Sequence, residues 1–125
     1  MSGQKALSLE RFAQKNKLRF IRFECRGHGK SDGKFEDFTI SDWKKDLIDI
    51  IDNIAKGPQI LVGSSMGGWV AIIYALIHPR KVTKLIGIAP APDFTTKLIW
   101  KNFNTHQKNK IKNNKIVKQK VSSDF

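Results

Sequence analysis

Nine residues limit what this chain can fold into more than any others: Leu61-Val62-Gly63-Ser64-Ser65-Met66-Gly67-Gly68-Trp69. Gly63-x-Ser65-x-Gly67 has the form of a nucleophile elbow. The apolar run Gln59–Val62 before it reads as a buried parallel strand, and the longer run Trp69–Ile77 after it as a buried helix. Between them the backbone must reverse within a few residues. Glycines two before and two after Ser65 are expected to remove Cβ atoms that would clash there. The turn then presents the Ser65 hydroxyl at the C-terminal end of the strand. The helix aims its free N–H groups at the same place, so the Met66 amide can donate to an oxyanion forming on a carbonyl.

The competing reading is a glycine-rich turn in which Ser65 only caps the helix, or a phosphate-binding loop. No lysine follows the glycines and the spacing is not G-x-G-x-x-G, which argues against the phosphate loop.

The rest of the chain supplies an α/β alternation. Lys5–Lys15 places Ala6, Leu9, Phe12 and Ala13 on one helical face, with Ser2 or Gly3 at its start and Asn16 at its stop. Leu18–Phe23 reads as a strand. Arg26-Gly27-His28-Gly29-Lys30-Ser31-Asp32-Gly33 follows as a glycine-rich loop. In a parallel sheet this loop would leave a strand's C-terminal end, so His28 could reach a substrate; the alternative is that His28 orders the loop by hydrogen bonding. Thr39-x-x-Asp42 approximates a capping box for a helix carrying Trp43, Leu47, Ile50, Ile51 and Ile54, ended by Gly57-Pro58. The elbow helix runs to His78 and Pro79 stops it; Lys84–Ala89 is a third strand. The expected fold class is therefore α/β, a three-stranded parallel sheet with flanking helices. Leu98-Ile99-Trp100 and Phe103 suggest one or two further helical turns, and beyond Thr105 no pattern is legible.

The loop Arg26–Ser31 and the string Gly57–Trp69, with Ile86-Gly87-Ile88-Ala89-Pro90-Ala91-Pro92-Asp93-Phe94 behind it, resemble the alpha/beta-hydrolase superfamily. Within it they are similar to bacterial hydrolases related to mitochondrial palmitoyl-protein thioesterase. The resemblance covers residues 5–94 and implies a partial hydrolase core over 1–94, followed by a lysine-rich stretch, 95–125, that begins a cap region. It also implies an esterase or thioesterase acting through a Ser-Asp-His triad. Ser65 matches the nucleophile and Met66 the residue whose amide forms half of an oxyanion hole. The triad acid and histidine match nothing here, and the second oxyanion loop would precede Met1. On this resemblance the sequence looks like the middle of a hydrolase, cut at both ends.

Residues within the chain offer little to complete such a site. His78 would sit at the far end of the elbow helix, about 20 Å from Ser65 at 1.5 Å per residue. His106 lies in the polar tail, and Asp93 ends a strand with no histidine between it and Ser65. Without base and acid, turnover is expected to fall to the order of 10³–10⁴ over water, against 10⁹ or more for an intact site. A catalytically inactive remnant, or one piece of a split hydrolase completed by a complementary chain, is thus an open alternative.

Charge gives a third reading. Residues 1–93 carry fifteen Lys/Arg against ten acids, whereas residues 94–125 carry eight Lys against Asp124. A basic tail could bind nucleic acid or an anionic membrane surface, but the scattered lysines with only Trp100 and Phe103 make no stacking platform, and nucleic acid is not the expected partner. The expected partner is a small-molecule or acylated-protein substrate. No cofactor, no metal-ligand spacing and no membrane-spanning run is read from the sequence. A lone cysteine, Cys25, and a polar start fit a reducing compartment, the cytoplasm.

Overall fold

The computed structural model describes residues 3–113. Helix α1 spans Gln4–Lys15, with extended Gly3 as its N-cap; Ser2, the other candidate cap, lies outside the described residues. Asn16 closes the helix, its side-chain amide donating to the Phe12 carbonyl at 2.8 Å. Lys17 then takes a left-handed conformation, φ 54°, and the Leu18 N–H returns to the Ala13 carbonyl.

A 3-10 turn at Phe35–Asp37 leads to helix α2, Ile40–Asn53. Its entry is fixed by Asp42, whose carboxylate accepts from both the N–H and the hydroxyl of Thr39, at 2.8 and 2.7 Å. Those bonds, the Thr39 hydroxyl first, hold the Asp42 carboxyl below the usual carboxylate range.

Strand β1, Gln59–Ser64, helix α3, Met66–Ile77, and strand β2, Val82–Ile88, form a parallel β-α-β unit. The register pairs Leu61 with Leu85, Val62 with Ile86 and Gly63 with Gly87. Helix α3 contacts both strands, and α2 packs on α3. The core is Trp43, Leu47 and Ile51 from α2, Leu61 from β1, and Val70, Ala71 and Tyr74 from α3. Period-two alternation puts Leu61 and Gly63 inside, while Ile60 and Val62 face outward and stay exposed, as does Ile86.

Three expectations change. Among the described residues the sheet has two strands, not three: residues 18–25 join no ladder. Apolar content suggested a strand there, but a strand exists only where a neighbour supplies the pairing. Phe23 and Cys25 instead pack against the core from the side, while Leu18 and Ile21 remain exposed. Helix α3 begins at Met66, three residues before the apolar run that marked it, because Gly67 and Gly68 continue the helix. Of the polar stretch from Thr105 on, residues Thr105–Lys112 also form a helix.

Among the described residues, those from Ala91 onward make a separate compact unit from those up to Pro90. In it a π-helical turn, Thr95–Ile99, runs into a short helix α4, Trp100–Asn102, and is followed by helix α5, Thr105–Lys112. Asn104 caps α5, its side chain accepting from the Gln107 N–H while Gln107 accepts from the Asn104 N–H, both at 2.9 Å. Local capping thus makes a helix that hydrophobic periodicity did not show.

Candidate active site

The reversal between β1 and α3 is concentrated in one residue. Ser65 has φ 52° and ψ −121°, a combination open to glycine and costly for any side chain. Its side chain is exposed at the C-terminal end of β1. The conformation is held on both sides: the Ser65 N–H donates to the Ile88 carbonyl at 3.1 Å, and its own carbonyl accepts from the Trp69 N–H at 3.2 Å. Met66 opens α3, so its N–H is among those a helix leaves without an internal acceptor, while its side chain packs against the core.

The glycines divide differently from the expectation. A Cβ on Gly63 would lie 2.5 Å from the Gly67 carbonyl oxygen and 2.7 Å from the Gly68 Cα. Strand and helix touch backbone to backbone at that point. A Cβ on Gly67, by contrast, meets nothing within 4 Å. The second sterically required glycine is Gly68, where a Cβ would come within 2.8 Å of the Pro90 Cβ. The motif's spacing directed attention to Gly67; the residue that meets Pro90 is its neighbour.

The loop carrying His28 is tightly braced. The Arg26 N–H donates to Asp46 Oδ2 at 2.9 Å, and its guanidinium pairs with Asp46 Oδ1. The Trp43 indole N–H donates to the Arg26 carbonyl at 3.0 Å. The Glu24 carboxylate accepts from the Lys30 N–H at 2.7 Å, which lowers its pKa, and the Ser31 hydroxyl donates to the Glu24 carbonyl. His28 is half-buried and edge-on to Phe35 and Trp43, ring centres 5.2 and 5.1 Å away, with Nδ1 3.2 Å from the Arg26 carbonyl. These contacts favour the loop-ordering role over a substrate-facing one. Asp46 gave no sequence signal: it looks like one more charge on the polar face of α2.

Within this unit, neither His28 nor His78 is hydrogen-bonded to Ser65. His78 caps the far end of α3 against the Tyr74 ring. His106 lies in α5, and the Asp93 carbonyl accepts from the Thr96 and Lys97 N–H groups, both residues in the other unit. Shallow clefts of about 370 and 390 Å³ lie at Asp52, Arg80 and Lys81 and at Glu24, Asp46 and Asp49, and neither is lined by Ser65 or Met66. Among the described residues no group of His, Cys, Asp and Glu could hold a metal ion, and no helix is long and apolar enough to cross a membrane. One partner of the corner was not foreseen: the Lys5 ammonium donates to Ser64 Oγ at 3.3 Å.

Comparison with known proteins places this geometry in context. Residues 3–124 match the family model described as "Serine aminopeptidase, S33". The mitochondrial palmitoyl-protein thioesterase ABHD10 of Homo sapiens is 50% identical over 93 residues, and that of Bos taurus 48%. Each alignment covers 74% of this chain and 30% of the relative. Among solved structures, the alpha/beta hydrolase domain-containing protein 10 from mouse superposes with a TM-score of 0.81 at 40% identity, over 91% of this chain and 45% of that one. A hydrolase from Agrobacterium vitis S4 superposes with a TM-score of 0.88 at 34% identity, over 98% and 49%. The chain thus spans under a third of the curated relatives' length and about half of the solved chains.

Proposed function

Because the chain belongs to the serine aminopeptidase S33 family of the alpha/beta-hydrolase superfamily, we propose that it is a serine hydrolase acting on acyl esters or thioesters through Ser65. The observation that carries this reading is the backbone of Ser65. A non-glycine residue at φ 52°, ψ −121° costs about 1–3 kcal/mol, and cheaper residues exist for a mere turn. The strain has a use if the hydroxyl must stand clear of the sheet beside a helix N-terminus.

In this reading Ser65 Oγ attacks the acyl carbonyl and loses its proton to a base. The Met66 N–H donates to the carbonyl oxygen as it becomes an oxyanion, the alcohol or thiol departs, and water releases the acyl group from Ser65. Gly63 and Gly68 let β1 and α3 approach closely enough to form the corner. His28 acts on the loop rather than on the proton. With neither His28 nor His78 on Ser65, the polypeptide of residues 1–125 is expected to turn over slowly, near the residual order of 10³–10⁴ over water of an unassisted serine site. The ABHD10 relatives, named as palmitoyl-protein thioesterases, make a fatty acyl thioester the substrate to try first. A reducing compartment suits the free Cys25.

The test is covalent labelling by a neutral fluorophosphonate, read by intact mass and peptide mapping. Slow labelling at Ser65, absent in Ser65→Ala, is the expected result. Absence of adduct at high protein and probe concentration overturns the assignment.

A further inference from the structure

We propose that Pro90 is a positioning residue for Ser65: its ring, seated against Gly68 and Gly87, holds in place the carbonyl that fixes the serine's backbone. The proposal deepens the reading of Ser65 given above and rests on it for there being a nucleophile to position.

Pro90 meets glycines from two different elements. A Cβ on Gly68, in the first turn of α3, would lie 2.8 Å from the Pro90 Cβ and 3.0 Å from its Cα. A Cβ on Gly87, in β2, would lie 3.0 Å from the Pro90 Cγ and 3.4 Å from its Cδ. Gly87 is in turn the register partner of Gly63, whose own Cβ position is taken by the Gly67–Gly68 backbone. Glycines on β1, α3 and β2 thus let the three elements close on one another, and the proline ring is seated against two of them. Pro90 is exposed, so the ring adds little to the core. What it does instead is hold the chain leaving β2 against the first turn of α3.

That hold bears on Ser65 through one hydrogen bond. The Ser65 N–H donates to the Ile88 carbonyl at 3.1 Å. This carbonyl lies in the peptide plane joining Ile88 to Ala89, so its direction depends on Ala89 as well as on β2. Ala89 has φ 44°, a left-handed conformation uncommon for any residue with a side chain and outside the extended range preferred before a proline. Such a conformation persists only where the surroundings impose it. The next residue supplies that constraint: Pro90 cannot turn about its own φ, and its ring meets Gly68 and Gly87. Ser65 and Ala89, at φ 52° and 44°, are therefore strained residues on the two sides of one hydrogen bond. Were Ala89 released to negative φ, the peptide plane would rotate and the acceptor would leave Ser65.

The experiment compares the 125-residue chain with Pro90→Ala, Gly87→Ala and the double variant. The first readout is hydrogen exchange at individual amides. Pro90→Ala removes Cγ and Cδ and frees φ, so protection of the Ser65 amide should fall about tenfold while Ala71 and Tyr74, buried in α3, keep theirs. A merely structural role for Pro90 would lower all of these together. Gly87→Ala puts a methyl 3.0 Å from the ring, so it should lower Ser65 protection in the parent and lower it no further in Pro90→Ala, where the ring is gone. The second readout is the rate of fluorophosphonate labelling at Ser65, expected to fall about ten- to hundredfold in Pro90→Ala. Circular dichroism reports whether each variant is folded, and Gly87→Ala carries the result should Pro90→Ala not fold. Unchanged Ser65 protection, a loss shared equally by Ala71 and Tyr74, or a labelling rate that Pro90→Ala leaves as it was overturns the proposal. Loss confined to Ser65 in a chain that never labels supports the hold on the backbone and overturns the nucleophile; a parent that labels, with rate and Ser65 protection both surviving Pro90→Ala, does the reverse.

Discussion

The main-chain N–H of Ser65 donates to the carbonyl oxygen of Ile88 at 3.1 Å, so the corner after β1 is tied to the last residue of β2. The serine is aimed by both strands of the sheet, and by the glycine contacts beneath it. That arrangement has measurable consequences.

Gly63→Ala should be severe and Gly67→Ala mild. The first places a methyl 2.5 Å from a backbone oxygen that cannot rotate away, and the second places it in open space. A loss of about 1–3 kcal/mol is expected for Gly63→Ala, at the upper end because backbone must move. Chemical denaturation of the two variants measures the contrast, and equal losses would contradict the packing described.

Ser65→Gly should raise stability while ending labelling. Glycine accepts φ 52°, ψ −121° without the strain serine bears, though it adds freedom to the unfolded chain. A net gain of about 0.5–2 kcal/mol is expected, with Ser65→Ala below it because alanine keeps the Cβ. Thermal unfolding of parent, Gly and Ala variants gives the order.

Asp46→Ala should loosen residues 26–33 more than it unfolds the domain. The carboxylate is mostly buried and takes both the Arg26 N–H and its guanidinium, so removal strands two donors. A cost of about 1–3 kcal/mol is expected. Amide hydrogen exchange should show protection lost first at Gly27, His28 and Ser31, whose N–H groups are bonded within or into this loop. A uniform loss across α2 and α3 instead would count against local bracing.

Cys25 should be slow to alkylate in the folded chain. Burial, and then the negative charge of Asp46, push its thiol up to about 11. The thiolate is the reactive form, so at neutral pH iodoacetamide should react roughly 100-fold more slowly than with the unfolded chain. The linkage follows in sign. The folded state keeps the proton more tightly, so this group's contribution to stability is present below its unfolded pKa of about 9.0 and is lost as pH rises toward 11. Denaturation midpoints across that window should fall with rising pH, and less so in Cys25→Ala.

The outward face of the sheet should be adhesive. Ile60, Val62 and Ile86 are exposed, and Val62 and Ile86 are direct register partners. Such a patch is expected to bind a hydrophobic dye and to drive self-association. Val62→Thr with Ile86→Thr should reduce both, with little change in unfolding temperature, since neither side chain joins the core. Sedimentation velocity on the double variant decides it.

The sequence disclosed the corner because its constraint is local. Ser65, its neighbours and the capping pair Thr39–Asp42 act over a few bonds, and such short-range demands leave marks in residue type and spacing. Leu18–Phe23 misled for the opposite reason: pairing is a property of two segments, and apolar content cannot report a missing neighbour. Helix α5 was missed because Asn104 and Gln107 start it by side-chain bonds rather than by an apolar stripe. Gly68, Asp46 and Lys5 escaped notice because what they touch lies twenty or more residues away along the chain.

The price of keeping a hydroxyl at position 65 also gives the chain a memory. Drift at this codon toward glycine relaxes the backbone, whereas every other outcome leaves it tense. A lineage that had stopped using the alcohol would be drawn downhill to glycine by foldability alone. Serine kept at this position in descendants and siblings of this gene would thus be a record of use, readable without any assay.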